Sequence, residues 1–397
     1  MRQSIPFLIV LSCLSLIAGD ASSQGAGKGK GKGKSKGGGR IAEAEERAIA
    51  DPFVGVTADG AVEPGLFEIR ATGVSTAPIR AAAEQFLKVL SPEQRAKTTF
   101  PIDDIEWRRW ANQHSLVRQG VSFEEMSESQ REAAFGLLAA SLSADGLKLT
   151  EDIMKLNETL AELTGKHSEY GRWLYHLTVM GEPSTEQPWG WQFDGHHCVI
   201  NYFVLGDQVV MSPAFFGSEP VRAESGAYAG TVILQDEETL GLRLARSLTN
   251  EQKGKAVIAA SKSGTDARGE AFQDNLVLPY EGIPVSELSQ DQIKSFRALL
   301  AVWTGKMRGG HDGVKFEEVM NQLDRTFFAW VGEMDDEAVF YYRIHSPVIL
   351  IEFDHQRPIG LERTGIPTKD HIHAVIRTPN GNDYGKDLLR QHLEQHH

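Results

Sequence analysis

Two kinds of hydrophobic pattern alternate along the chain. The stretches Ser127–Gly146 (SESQREAAFGLLAASLSADG) and Ser289–Gly310 (SQDQIKSFRALLAVWTGKMRGG) place apolar residues three and four positions apart, which predicts amphipathic helices. A second helical pattern follows each of them, from Thr150 and from Lys315. Apolar runs of strand length come next in both places. The patterning therefore predicts an α+β fold in which helices precede an antiparallel sheet.

The helix starts and the order of patterns indicate an internal repeat. Ser/Thr-x-x-Gln occurs in LSPEQ, SESQ, LTNEQ and LSQDQ, a spacing that predicts a capping box at a helix start. The two long stretches align on Ser, Gln and a Leu-Leu pair, and His196 then falls near His345. We expect two duplicated helix–helix–antiparallel sheet units forming one compact body. Chance similarity between two amphipathic units is the alternative.

This interpretation divides the chain into six segments. We expect a signal peptide, a Gly/Lys-rich flexible tether, an N-terminal extension, a first α+β half, a connecting segment with a helix, and a second α+β half. Their predicted bounds are residues 1–21, 22–40, 41–126, 127–247, 248–288 and 289–397.

The N-terminus predicts export to the periplasm or the exterior of the cell. One positive charge at Arg2 precedes an apolar run from Ile5 to Ala18, and small residues suit cleavage after Ala21. A lipoprotein signal at Cys13 is a poorer match. The basic Gly/Lys tether that follows has no side chains to build a core, so it is a solvated linker or a contact for a polyanion. No later run is long enough for a transmembrane helix.

Charge and cysteine content narrow the class of partner. Residues 1–40 hold seven of the 41 basic and one of the 54 acidic residues, so the remaining chain has 34 basic and 53 acidic residues and a net charge of −19. An acidic body argues against nucleic acid and leaves a small-molecule substrate as the expected partner. Cys198 is the one cysteine after the signal, so a core or a metal, and no disulfide, must hold the fold together.

The histidine pattern predicts one transition-metal site, for iron, copper or zinc. His371 and His373 form His-x-His, which puts two imidazoles on one face of a strand. WQFDGHHCVINYF places His196 and His197 at the start of another strand, where consecutive residues would point to opposite faces. We select His197 as the third ligand. Glu352, at the end of a buried strand, is the candidate fourth ligand, unless an arginine pairs with it.

Other polar residues near these strands are candidates for catalysis and substrate binding. We expect catalytic roles for Arg343, His345, Asp354 and Asp383, and substrate contacts from Trp189, Trp191, His196 and Tyr384. His355 is a further candidate for a metal ligand, held in reserve, and we interpret Cys198 as a buried residue of a strand. A hydrogen-bonded network without an ion is the alternative for the whole set. The loop GTDARGE at Gly264 carries no assigned role.

Several quoted stretches together resemble a known family. PWGWQFDGHHCVINYF, SPAFFGSEP, FFAWVGE, YYRIHSP, IEFDH and HIHAVIRTPNGNDYGKDLLRQH are similar to the proteins grouped as domain of unknown function 3500. The resemblance runs from about Arg70 to the C-terminus and implies an exported protein, but no activity. Cys198 stands where the family has an apolar residue, which implies no general catalytic role for the thiol.

Two classes of function follow from these observations. The first is an exported metal-dependent enzyme, with oxidoreductase chemistry ahead of hydrolysis because imidazole-rich open sites suit redox metals. The sequence has no Gly-x-Ser-x-Gly, phosphate loop or His-Glu-x-x-His motif. The second class is a non-catalytic binding or envelope protein, in which Trp189, Trp191, Phe215 and Phe216 form an exposed platform or are simply core.

Overall fold

The computed structural model describes residues 36–396, so the predicted signal peptide and most of the predicted tether lie outside the described residues. Helix α1 begins inside the segment predicted as a tether. The helices are α1 Lys36–Ala50, α2 Ala77–Val89, α3 Pro92–Thr98, α4 Glu128–Ser141, α5 Ala144–Thr164, α6 Gln235–Ser247, α7 Asn250–Ala256, α8 Gln290–Thr304, α9 His311–Met320 and α10 Lys386–His396. No helix among the described residues is long and apolar enough to cross a membrane.

The strands form one mixed sheet, as the predicted α+β class requires. They are β1 Thr99–Phe100, β2 Val121–Ser122, β3 Tyr175–Met180, β4 Trp189–Gly195, β5 Cys198–Leu205, β6 Gln208–Val210, β7 Ala214–Ser218, β8 Val257–Ala259, β9 Ile283–Pro284, β10 Phe327–Gly332, β11 Phe340–His345, β12 Leu350–His355 and β13 Ile372–Arg377. The order across the sheet is β1-β3-β4-β5-β7-β13-β12-β11-β10-β8, and β2, β6 and β9 pair at its margins.

The two sides of the sheet repeat the same order of elements. From either margin, a short parallel strand is followed by three antiparallel strands and a fourth that reaches the centre, where β7 pairs with β13. The helices before the strands correspond as well, because α2 packs on α4 as α6 packs on α8. In this arrangement α2 and α3 lie within the predicted N-terminal extension and α7 in the predicted connecting segment. Common origin by duplication stays a prediction.

The predicted capping boxes form at all four sites and also link helices to one another. Ser91, Ser127, Thr249 and Ser289 each accept a hydrogen bond from the amide of the Gln three residues later. The side chains of Gln94 and Gln130 bond to each other, and those of Gln252 and Gln292 do the same. Each cap contributes about 1 kcal/mol, and the paired amides set the angle between consecutive helices.

The sheet has one apolar and one polar face. The apolar face packs against the helices, where Tyr342 donates to the carbonyl of Glu237 on α6 and accepts from Trp303 on α8. On the polar face, Arg343, Glu352 and Val375 share one row of the register, and Asp354 and His373 share another. Loops cover this face, since buried charges need partners that a layer of apolar helices would not supply.

Candidate metal centre

The imidazoles of His197, His371 and His373 meet where β5 and β13 begin. Their Nε2 atoms face one another, with separations of 3.0 Å between His371 and His373, 3.4 Å between His371 and His197, and 3.3 Å between His373 and His197. All three side chains are buried. Within residues 36–396, this is the one group of three or more metal-ligating side chains that converges in this way.

His197 reaches the cluster from a turn and not from a strand. β4 ends at Gly195 and β5 begins at Cys198, so His196 and His197 form a two-residue hairpin turn. His197 has a φ of 61°, a left-handed conformation that costs a non-glycine residue about 1–2 kcal/mol. Its amide donates to Asn112 O, and its carbonyl accepts from Gly217 N. These bonds hold the strained turn against β7 and the loop before β2. Backbone strain of this kind commonly marks a functional position.

The turn also brings both histidines to one side of the sheet, which corrects the expectation that they point to opposite faces. The rings of His196 and His197 stack with their centroids 3.9 Å apart. His196 Nδ1 contacts Asn157 Oδ1 at 2.7 Å, so the second histidine supports the ligand beside it. Burial lowers the pKa of both rings well below the ordinary value, which leaves them neutral.

The partners of the other two histidines fix which ring nitrogen carries the proton. His371 Nδ1 lies 2.7 Å from the carbonyl oxygen of Arg357, which can only accept a hydrogen bond. His373 Nδ1 lies 2.6 Å from a carboxylate oxygen of Glu270. Both Nδ1 atoms therefore donate, and wherever both rings are neutral their Nε2 atoms present lone pairs to each other. Burial lowers the pKa of His371 to about 3, so a proton on its ring does not relieve this repulsion.

A metal ion suits this arrangement. A zinc-like ion binds imidazole nitrogens at about 2.0–2.1 Å, which puts neighbouring ligand nitrogens roughly 2.9–3.4 Å apart for octahedral or tetrahedral angles. The observed separations of 3.0, 3.3 and 3.4 Å fall in this range. Acceptors on Nδ1 are also typical of metal-bound histidines. The three histidines are thus compatible with metal binding, and the identity of the metal remains open.

The cluster borders a cavity of about 280 Å³, which gives a ligand a place beside the imidazoles. Its walls come from α1, α5, the loop before β2, the loop between β8 and β9, and the loop after β12. Glu219 closes one side, because its carboxylate accepts from the amides of Ile359, Gly360 and Leu361 at 2.9–3.0 Å. This clamp holds the loop after β12 over the cavity.

The structure separates Glu352 from the cluster. Its carboxylate accepts from Tyr341 Oη at 2.6 Å and from the amides of Arg268 and Gly269 at 3.0 and 2.6 Å. Glu352 pairs across the sheet with Val375, two residues along β13 from His373, so it shares the face of the imidazoles but not their position. The prediction of Glu352 as the fourth ligand is therefore wrong. Glu352 is a buried carboxylate whose hydrogen-bond donors are two backbone amides and the Tyr341 hydroxyl.

The residues expected to be catalytic also lie outside the cavity lining. Arg343 pairs with Glu281 at 2.7 Å. Asp354 pairs with Lys262 at 2.9 Å, and burial raises its pKa to about 7. Asp383 holds Arg377 at 3.1 Å. His345 packs on Tyr280 with ring centroids 4.6 Å apart, and burial lowers its pKa to about 3. Arg377 belongs to β13, and loops over the polar face supply the other three partners, Lys262, Tyr280 and Glu281. The sequence pattern does not reveal these pairings.

The aromatic residues expected to bind a substrate belong to the core, with one exception. Trp189 donates to Ser184 O, Trp191 stacks on Tyr202, and Tyr384 bonds to Asp274. Each of these three side chains is fully buried. Phe215 and Phe216 are also buried, so no exposed aromatic platform forms from this set. His196 alone among the expected substrate contacts lines the cavity. The reserve ligand His355 accepts from Phe340 N on the apolar face.

Sequence reasoning missed the residues that complete the site. Glu270 lies in the loop GTDARGE, which carried no assigned role, and Glu219 lies in the motif SPAFFGSEP. His114 and Tyr170 also line the cavity. All four come from segments far from His371 in the chain, and no local spacing connects them to it. An acidic residue in a loop without an evident partner was the one available signal for Glu270.

Comparison with known proteins identifies a family and no relative of known function. No curated protein and no solved structure matches the chain. The family model described as a protein of unknown function (DUF3500) matches residues 72–386, which include all three clustered histidines. Because this match covers most of the chain, the protein belongs to the DUF3500 family.

Proposed function

We propose that the protein is a metal-dependent enzyme that holds one transition-metal ion on His197, His371 and His373. The observation that carries this proposal is the 3.0 Å separation of two Nε2 lone pairs whose rings both donate through Nδ1. In a neutral hydrogen-bonded network, one of these nitrogens would have to be a donor. A cation removes the conflict without a change in the surrounding structure.

Three imidazoles leave coordination positions open toward the cavity, as catalytic sites require. An ion bound there would act as a Lewis acid toward water or another oxygen ligand, or exchange electrons if it were iron or copper. We place oxidoreductase chemistry ahead of hydrolysis, because imidazole-rich open sites suit redox metals.

We assign a proton-transfer role to Glu270, in place of the catalytic candidates His345 and Asp354, which lie outside the cavity lining. It lines the cavity, and one of its oxygens accepts from His373 Nδ1 at 2.6 Å. A carboxylate in this position orients the ring and raises its basicity. Because its carboxylate also lines the cavity, we assign it the acceptance of a proton from a bound group through a bridging water. His196 supports His197 by stacking and narrows the cavity on that side.

We further propose that the protein is exported and acts on a small molecule. The basic and apolar pattern of residues 1–21 supports export, and the acidic body supports a partner other than nucleic acid. The cavity beside the cluster supports a small-molecule substrate.

The decisive experiment is elemental analysis of untagged protein purified from an exporting host. We expect about one equivalent of a transition metal, and loss of that metal in the His371→Ala/His373→Ala variant. A matched control is His176→Ala/His345→Ala, which removes two imidazoles from the same sheet face but outside the cluster. Circular dichroism establishes that both variants fold. Absence of metal from the wild type after reconstitution with iron, copper, zinc and manganese would overturn the proposal.

Catalysis is tested separately, by comparing loaded and metal-free protein against panels of oxidation and hydrolysis substrates. Turnover that follows metal content and disappears in the double variant supports an enzyme. A protein that binds metal and turns over none of the panel at any loading would favour a binding role.

A further inference from the structure

The cavity beside the three histidines is built from uncharged and acidic groups. Its only ionisable acids are Glu219 and Glu270, and its described lining contains neither lysine nor arginine. Besides the three clustered histidines, its titratable rings are those of His114, His196 and Tyr170. Lys166 lies near the ring of Tyr170, 5.9 Å from its centroid, but it is not part of the lining, and Glu169 pairs with it at 3.4 Å.

This distribution of charge selects against anions. A carboxylate or phosphate group in the cavity would meet two carboxylates and find no lysine or arginine among the described lining residues to pair with. With a divalent ion on the histidines, the two carboxylates approximately balance its charge, so a substrate needs no net charge of its own. Arg343, one of the residues that the sequence suggested as catalytic, pairs with Glu281 and does not line the cavity.

Two side-chain amides at the cavity have hydrogen-bonding capacity to spare. Asn112 is 2% exposed and its Oδ1 has no hydrogen-bond partner among the described residues, and the same holds for the buried Oε1 of Gln113. Buried polar atoms of this kind are rare and require a partner. Ser115, Thr265 and Gln356 add a hydroxyl or an amide to the same lining. Side chains that both donate and accept match the hydroxyl groups of a ligand.

One wall of the cavity is aromatic. His197, His196, Tyr170 and His114 follow one another, with ring centroids 3.9, 5.2 and 4.8 Å apart. Such rings offer apolar surface beside the polar groups, a combination that binds the C–H faces of a ring while amides take its hydroxyls. The volume of about 280 Å³ lies near the lower limit of roughly 300–1,000 Å³ for small-molecule pockets, which suits one six-membered ring.

We infer that the substrate is an uncharged, single-ring polyol of monosaccharide size, whose hydroxyl groups bond to Asn112 and Gln113 while one of them reaches the metal position. This inference rests on the proposed function for the role of the metal, but the selection for a neutral polyol comes from the cavity itself. The structure therefore assigns the specificity of the site to Asn112, Gln113 and the aromatic wall.

The test uses the full-length protein and a charge series on one ring. Isothermal calorimetry is carried out with glucose and galactose, their uronates and their 2-amino derivatives, on zinc-loaded and metal-free protein whose metal content is measured first. We expect at least one neutral sugar to bind with a millimolar or lower Kd, and its uronate to bind at least tenfold more weakly. Cyclohexanol, a ring of similar size with one hydroxyl, should also bind at least tenfold more weakly than that sugar.

Two variants connect the binding to the cavity. Gln113→Leu removes one free amide and should weaken binding of the neutral sugar about tenfold, whereas Gln273→Leu, the same change at an exposed position outside the lining, should not. Ser115→Lys adds a cation to the lining and should improve binding of the uronate at least tenfold.

The outcomes separate this inference from the proposed function. Equal or tighter binding of the uronate by the wild type, or no binding of any neutral sugar at 100 mM, roughly the weakest affinity worth detecting, would overturn the polyol assignment even if the protein holds metal. Binding of a neutral sugar that depends on Gln113 in a protein without metal would sustain the assignment while the proposed enzyme fails.

Discussion

The turn between β4 and β5 and the turn between β11 and β12 occupy corresponding places in the two sides of the sheet. The first has two residues and projects His197 into the imidazole cluster from a left-handed conformation. The second comprises residues 346–349, and Ser346 closes it by accepting from the amides of Val348 and Ile349 at 3.2 Å. Asn380 donates to the carbonyl of Pro347 and ties this turn to the loop after β13.

The difference shows what the repeated architecture provides and what it does not. Both turns lie where a central strand begins, next to the junction of β7 and β13, so either could carry a site. Only the first turn contains a residue in a strained backbone conformation, His197, and only its side chain converges with the two histidines of β13. In the second turn, hydrogen bonds to Ser346 and Pro347 satisfy polar groups of the turn locally, which stabilises it. Function therefore follows from departures between the two sides, and four variants test this interpretation.

The largest effect is expected for His197→Asn. Asparagine adopts left-handed φ more readily than histidine, so the turn should remain and metal-free stability should rise by up to about 1 kcal/mol. Metal affinity should fall by roughly 100-fold or more, beyond the loss of about 10–100-fold for an outer partner. Competitive chelator titration measures the affinity. The control His196→Asn changes the other turn residue and should keep most of the metal affinity. Equal losses of affinity in the two variants would contradict the assignment of His197 as a ligand.

Glu270→Ala removes the acceptor that fixes the tautomer of His373. We expect metal affinity to fall by about 10–100-fold, because the ring is then free to rotate or to carry its proton on Nε2. Glu270→Gln keeps an acceptor oxygen and should lose less. Glu281→Ala, a change to the half-exposed partner of Arg343, should leave the affinity unaltered. An unchanged affinity in Glu270→Ala would show that Glu270 does not orient the ligand.

Buried carboxylates on the two sides of the sheet allow a further comparison, through the dependence of stability on pH. In the second side, burial raises the pKa of Glu352 although three donors bond to its carboxylate. In the first side, burial, with repulsion from Asp194, raises the pKa of Glu106 from 4.5 to about 8. The folded state thus favours the protonated form of Glu106. The stabilisation of the fold by this form is complete below about pH 4.5 and is lost as the pH rises to 8.

Glu106→Gln should therefore be as stable as the wild type at pH 4 and more stable at pH 8 by at least ~1–2 kcal/mol, with an upper limit of about 4 kcal/mol set by the pKa shift. Urea denaturation across this pH range measures the difference, with the exposed Glu132→Gln as the control that should follow the wild type. A constant offset at all pH values would mean that the carboxyl group titrates normally in the folded protein.

The smallest effect is expected for Ser346→Ala. Loss of the hydroxyl removes the acceptor of the Val348 and Ile349 amides. This change should reduce the free energy of unfolding by about 1 kcal/mol. Metal content should not change, since the turn contributes nothing to the cluster. Thermal unfolding and elemental analysis of the same preparation provide both readings. A loss of metal in this variant would contradict the separation of roles between the two turns.

The sequence alone determined the α+β class, the capped helices and the residues available for the cluster. Helix starts at Ser127 and Ser289 follow from side-chain contacts three residues apart, and strands follow from runs of apolar residues, so both are local properties. His-x-His at His371 and His373 likewise fixes two imidazoles on one strand face, whatever the rest of the chain does.

Only the tertiary structure decided which polar residues join them. Glu352 and Glu270 are both acidic residues of the second side, but loop amides satisfy the first while the second meets His373. His197 entered the cluster through a two-residue turn and not through the strand alternation that selected it, because backbone bonds to Asn112 and Gly217 hold the strained φ. The covering loops and the turn depend on contacts between distant segments. Short-range spacing specifies elements, whereas the convergence of side chains depends on how those elements pack.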